Sequence, residues 1–144
     1  MPYSRRDLCL LLPGLLALQP HQASASAAVP RLPSKVYNFE KLPAQGSGQN
    51  QFRPVFDGAT HEGFRVSLHE TDLAPGGAPH PPHHHASEEV FLIREGTLEV
   101  TINGQSSTFG PGSVAYIASN EEHGIRNAGS TRAQYFVLEL GTQS

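Results

Sequence analysis

A chain of 144 residues has room for one domain around one hydrophobic core. Its 10 basic and 13 acidic residues leave a formal net charge of −3 and form no basic stripe, which argues against a nucleic-acid partner held through neutralised phosphates. No apolar run is long enough to anchor a mature chain across a bilayer, so stable membrane insertion is not expected either.

Residues 1–27 read as an address. Ser4-Arg5-Arg6-Asp7-Leu8 precedes an apolar run over residues 8–18, interrupted by Pro13-Gly14, and then a stretch of small residues. Ala25-Ser26-Ala27 offers an A-x-A cleavage site, with Ala23-Ser24-Ala25 as the alternative. The pair Arg5-Arg6 with Leu8 resembles a twin-arginine export signal, which implies a periplasmic or secreted protein exported already folded. Cys9, the single cysteine, lies inside this segment, so a cleaved chain would carry no disulfide.

Residues 28–50 read as an extended N-terminal arm. Pro30, Pro33 and Pro43 forbid a long helix, residues 45–51 have the composition of a flexible linker, and residues 36–39 (Val-Tyr-Asn-Phe) are expected to pair as a short edge strand. From residue 51 to 142 the pattern is strands and turns. Phe64, Val66 and Leu68 alternate with polar residues as in a half-buried strand, and residues 73–82 read as a Pro/Gly connection. Strands are expected over residues 88–94, 97–102, 105–109, 113–117, 123–127 and 133–140, with Asn103-Gly104 as a two-residue type I′ hairpin turn. About eight short strands with closely spaced turns point to an all-β barrel or jelly roll.

The chemistry concentrates in residues 77–96. His83 and His85 are two apart, and on a strand residues two apart share a face. Glu89 has the same parity and opens the apolar run of residues 90–93. Two imidazoles and a carboxylate form an N/O set that divalent first-row metals accept. His123, at the start of a later strand, supplies a further imidazole. His84 has the wrong parity to join them, and His21, His61, His69 and His80 lack a framing partner, so these five are read as ordinary surface or structural histidines.

These two stretches resemble the paired motifs of the cupin superfamily. The first motif is Gly, five residues, His-x-His, three or four residues, Glu, six residues, Gly; Gly77, His83, His85, Glu89 and Gly96 fill every fixed place. The second is Gly, five residues, Pro-x-Gly, two residues, His, three residues, Asn; Gly112, His123 and Asn127 match it, while Ala118 and Asn120 replace the usual Pro and Gly. Asn is the non-glycine residue that best tolerates positive φ, so that exchange is mild. The resemblance spans residues 51–140. It implies a cupin-type double-stranded β-helix, with His83, His85, Glu89 and His123 as metal ligands, and, because cupins commonly dimerise, a homodimer.

Parity places Phe91, Ile93 and Ile125 beside the ligands, an apolar wall suited to a small, partly hydrophobic molecule. Asn127 shares the inward parity. Val90 and Leu92 face the other way and need a cover from the arm or a second subunit. Three His and one Glu leave one or two open positions on a five- or six-coordinate ion. The expected ion is Mn²⁺ or Fe²⁺, with Zn²⁺, Ni²⁺ or Cu²⁺ as alternatives, because folding before export would let the cell enclose a weakly binding metal. The activity expected is oxygenase- or oxidase-like; a Lewis-acid isomerase or lyase, and a binding module without turnover, stand as alternatives. No general base is apparent, and the facing of Tyr116 and Tyr135 is left open.

Overall fold

The computed structural model describes residues 29–141, so the segment read as an export signal, with its candidate cleavage sites, lies outside the described residues. Nine strands follow in order: β1 (Gln45–Ser47), β2 (Asn50–Ala59), β3 (Arg65–Leu73), β4 (Glu88–Glu95), β5 (Leu98–Ile102), β6 (Gln105–Phe109), β7 (Val114–Ile117), β8 (His123–Asn127) and β9 (Ala133–Leu140). Every pair of neighbouring strands is antiparallel. One sheet has the order β1-β2-β3-β9-β4-β7 and the other β6-β5-β8. This is the all-β jelly roll that the cupin resemblance implied, one of the two architectures the strand and turn pattern allowed. Among the described residues no helix is long and apolar enough to cross a membrane.

The two sheets close on Leu73, Phe91, Ile93, Leu98, Val100, Ile117, Ile125, Ala133, Tyr135 and Val137, all buried. These alternate with exposed or half-buried residues along β4, β8 and β9, the period-2 pattern of strands with one face on a core. The Asn103-Gly104 turn has φ 48° and 80°, as a type I′ hairpin requires, and joins Ile102 to Gln105 in register. Asn120 sits at φ 62° in the turn closed by Glu121 N–H to the Ala118 carbonyl, so this Asn does take up the positive φ. Gly96 combines φ 83° with an approach that would place a Cβ 2.6 Å from the Ala133 Cα.

Four stretches depart from the sequence reading. Residues 45–51 form β1, a turn and the start of β2, because Gly46 at φ 92° lets the chain fold back and pair with Gln51. Residues 36–39 do not pair as a strand; Phe39–Lys41 is instead a 3₁₀ turn capped by the Asn38 side chain. Leu73 ends β3 and is fully buried, where a connection was expected, because it pairs with Asn50 and Ala133 and its side chain joins the core. His83 and His85 lie outside the named strands, in the loop before β4.

The arm covers part of the outer face. Phe39 sits under the guanidinium groups of Arg53 and Arg94, at 5.1 and 4.3 Å from the ring centroid. Arg53 also pairs at 2.8 Å with Glu70, whose carboxyl is completely buried and raised by that burial above the usual carboxylate range. The cover stops short of Leu92, Val114 and Tyr116, which are 43%, 58% and 53% exposed.

Asn127 is fully buried but turns away from the cavity. Its amide donates to the Leu73 and Thr131 carbonyls, and its oxygen accepts from Gly129 N–H, which ties the ends of β3 and β8 to the following turn. Asn127→Ala is expected to destabilise the fold by about 2 kcal/mol, because the buried Leu73 carbonyl and two part-buried backbone groups lose their partner together. Urea denaturation of the two proteins measures this.

Candidate metal centre

The connection between β3 and β4 runs along the free edge of β8 and is stitched to it. Asn127 N–H donates to the Gly77 carbonyl and Gly76 N–H to the Asn127 carbonyl, at 2.8 and 3.1 Å. Four residues up the strand, His83 N–H donates to the His123 carbonyl and His123 N–H to the His83 carbonyl, at 2.9 and 2.8 Å. A third tie holds the next turn, where Asn120 N–H donates to the His85 carbonyl at 2.8 Å. These bonds bring His83, His85 and His123 together, although His83 and His123 are 40 positions apart.

The three rings are mutual neighbours, with centroid separations of 5.1, 4.8 and 5.0 Å. One nitrogen from each lies within 4.8 Å of the others. Glu89, at the inner edge of β4, completes the group: its carboxylate oxygens lie 3.4 Å from His85 Nε2 and 3.1 Å from His123 Nε2. Of the four residues singled out by spacing, the three histidines therefore form one cluster, and Glu89 borders it on the side of His85 and His123.

The protonation of two rings follows from their partners. His123 Nδ1 lies 2.9 Å from the Glu121 carbonyl, and His85 Nδ1 lies 2.9 Å from the Ser87 carbonyl and from Ser87 Oγ. A carbonyl can only accept, so in each neutral ring Nδ1 carries the hydrogen and Nε2 keeps a lone pair. Both lone pairs face the cluster. His123 Nε2 and His83 Nδ1 are buried with no hydrogen-bond partner among the described residues; the 3.1 Å approach of Glu89 to His123 lacks hydrogen-bond geometry. Orphaned buried imidazole nitrogens are costly unless a further atom satisfies them. A divalent cation is such an atom, and the ligand chemistry of three imidazoles and a carboxylate fits it.

The electrostatics agree. Burial, with further contributions from His80, His123 and His85, lowers His83 to a pKa of about 4, so its ring is neutral and able to bind metal at neutral pH. Burial raises the Glu89 carboxyl, and the Glu139 carboxylate opposite adds to the rise, while His123 and His85 oppose it. A bound cation would relieve both penalties on Glu89.

The cluster lies in a cavity of about 460 Å³, partly open to solvent. Phe91, Ile125 and Val137 supply an apolar wall. Ile93, expected in that wall, belongs to the core instead. Tyr135 lines the cavity; its phenol hydrogen-bonds the Thr71 side chain and is pushed far up by burial, so it remains protonated. Tyr116 is exposed on the outer face. His69, His80 and Glu139 also line the cavity, although both histidines had read as ordinary. His69 left no signal, because its parity put it on the polar side of the expected strand. His80 sits in an irregular loop and left no signal.

Comparison with known proteins gives a family match over about half of the chain. Residues 69–139 match the Cupin_2 family, the cupin domain, and together with the jelly roll and its histidine cluster this supports membership of the cupin superfamily. Over 63 residues the chain is 33% identical to L-ectoine synthase of Bordetella petrii, a match covering 43% of this chain and 47% of that protein. The chain therefore spans about half the length of this curated relative. Among solved structures, the polyketide cyclase RemF from Streptomyces resistomycificus superposes with a TM-score of 0.64 at 21% identity, covering 76% of this chain and 81% of that one. A predicted oxalate decarboxylase from Thermotoga maritima gives 0.63 at 17% identity, over 75% and 100% of the two chains. At these identities the structural likenesses establish the fold.

Acid should act on the metal-free protein through His83. An unfolded histidine titrates near pH 6.5, whereas the folded site resists protonation down to about 4. His83 therefore imposes no proton-linked penalty well above pH 6.5 and destabilises the fold progressively as the pH falls from there towards 4. Urea midpoints between pH 7.5 and 4.5 are expected to fall more steeply for the wild type than for His83→Gln. Equal slopes would remove this assignment.

Proposed function

We propose that this protein is an exported, metal-dependent cupin enzyme acting on a small, partly apolar organic molecule. The observation that carries the reading is the convergence of His83, His85, His123 and Glu89 at one end of a cavity whose other wall is apolar. When bound there, a divalent ion supplies Lewis acidity and at least one exchangeable position for an oxygen of the ligand. The chain's own residues hold the rings in the ligating tautomer through the Ser87 and Glu121 carbonyls, and Phe91, Ile125 and Val137 exclude water from the ligand's apolar part.

Lewis-acid chemistry without net oxidation is the favoured reaction type. The cavity offers groups able to exchange a proton or orient a ligand beside the cluster, and two of the similar proteins are a synthase and a polyketide cyclase by name. An oxygenase- or oxidase-like reaction is the second reading, favoured by a four-ligand set that leaves room for O₂ on a five- or six-coordinate ion. No Lys or Arg lines the cavity among the described residues, which argues against a phosphorylated substrate.

The ion proposed is Mn²⁺ or Fe²⁺. The twin-arginine-like segment at Arg5-Arg6 supports export to the periplasm after folding, and folding first would shield a weakly binding ion from Zn²⁺ and Cu²⁺. Elemental analysis of protein recovered from the periplasm is expected to give one equivalent of Mn or Fe, lost in His123→Ala. Stoichiometric Zn in a fully functional protein would overturn the choice of ion, and oxygen uptake coupled to substrate turnover would favour the second reading over the first.

A homodimer is proposed on the outer face. β7 is an edge strand whose four residues, Val-Ala-Tyr-Ile, carry no charge, and Leu92, Val114 and Tyr116 form an exposed apolar patch along it. An uncharged, unpaired edge of this kind is a template for a second strand. Light scattering after size exclusion is expected to give twice the chain mass, with Val114→Lys shifting the protein to monomer.

A further inference from the structure

The wall of the cavity formed by β3 and β9 carries chemistry that the metal cluster does not use. His69 and Thr71 on β3, and Tyr135, Val137 and Glu139 on β9, all line the cavity. His69 is the cross-strand partner of Val137, so Glu139 is its diagonal neighbour on the same inward face. Diagonal positions of an antiparallel pair lie about 7–8 Å apart at the backbone, within reach of a His and a Glu side chain. On its other side Glu139 is the direct partner of the ligand Glu89. A row Glu89–Glu139–His69 therefore crosses the inner face of the sheet, from the cluster to the far side of the cavity.

We infer that His69, braced by Glu139, exchanges a proton with the bound molecule, and that this molecule is a small carbonyl compound with an acidic C–H next to the carbonyl. The inference rests on the metal-centre reading proposed above. Three requirements lead to this class of ligand. An oxygen is needed at the cluster, an apolar body fits Phe91, Ile125 and Val137, and a removable proton must face His69.

The surroundings of His69 suit a base. Burial lowers its pKa, the Glu139 carboxylate opposes that shift, and His80 adds to it, so the net direction is down and the ring is neutral at pH 7. The groups facing it are Glu139 from β9, His80 from the loop before β4, and the Phe52 ring of β2 at 6.3 Å, edge-on. In the step, a ring-nitrogen lone pair takes the proton from the carbon beside the carbonyl. The C–H electron pair moves into the adjoining C–C bond, and the C=O π pair moves to oxygen. Return of the proton from His69 to the same carbon restores the starting compound, and no oxidant or co-reactant is consumed. Glu139 is a positioning residue that stabilises the protonated ring.

The test uses the full chain loaded with Zn²⁺ and 2-oxobutanoate as probe in D₂O, with loss of the C3–H signal followed by proton NMR. Wild type is expected to exchange above the rate of buffer with Zn²⁺ alone. His69→Gln is expected to lose at least ten-fold of that excess while keeping one equivalent of Zn²⁺. Exchange in His69→Gln at the wild-type rate, or none above background in zinc-loaded wild type, would overturn the inference and leave the metal centre standing. A wild type that binds no metal by elemental analysis would overturn both. A second readout needs no metal: ¹⁵N-histidine NMR of the metal-free protein is expected to show His69 taking up its proton at lower pH in Glu139→Gln than in wild type. An unchanged titration would remove Glu139 from the pair.

Discussion

The reciprocal pair of backbone hydrogen bonds between His83 and His123 is the constraint on which the site depends. Both residues use their own main chain to fix their separation, so the side chains start from positions that rotamer changes alone cannot scatter. The bonds also carry an irregular, proline-rich loop along the edge of β8, where its polar backbone would otherwise lack partners. Gly124 makes this possible, since a Cβ there would sit 3.1 Å from the Pro82 ring. Glu89 is brought in independently by the start of β4, whose partners β9 and β7 hold it from both sides.

The cost of assembling this cluster is one that a bound cation would offset. Three imidazoles crowded together, a buried carboxylate and a second carboxylate on the next strand gain little from one another without a further partner. Burial lowers His83 and raises Glu89, both towards neutral forms. Bonds from the rings to the Ser87 and Glu121 carbonyls keep the tautomers in place meanwhile. The fold supplies the energy for this arrangement elsewhere, in a continuous apolar core and in the fully bonded Asn127.

Much of this was legible in the residues, for local reasons. Asn103-Gly104 and Asn120 announced their turns because few residue types accept positive φ. The β4 and β8 alternation identified Phe91 and Ile125 as inward-facing. The spacing of His83, His85 and Glu89 marked them as candidate ligands, but for a partly mistaken reason: both histidines read as strand residues, whereas a loop tied to β8 holds them. The same local logic misjudged residues 45–51, where Gly46 makes a hairpin from what reads as a linker.

His69 shows what local reading omits. Its neighbours in sequence say only that it lies on a strand, and nothing near it supplies a partner. Its proximity to Glu139 arises because β9 inserts between β3 and β4, a pairing of segments about 70 positions apart. The sequence by itself determined the donor types, the turns and the alternation of buried faces, since these depend on the chemistry and backbone preferences of each residue. Only the tertiary structure decided which donors share a cavity, because that depends on strand order, and strand order is settled by how the whole apolar surface is buried at once.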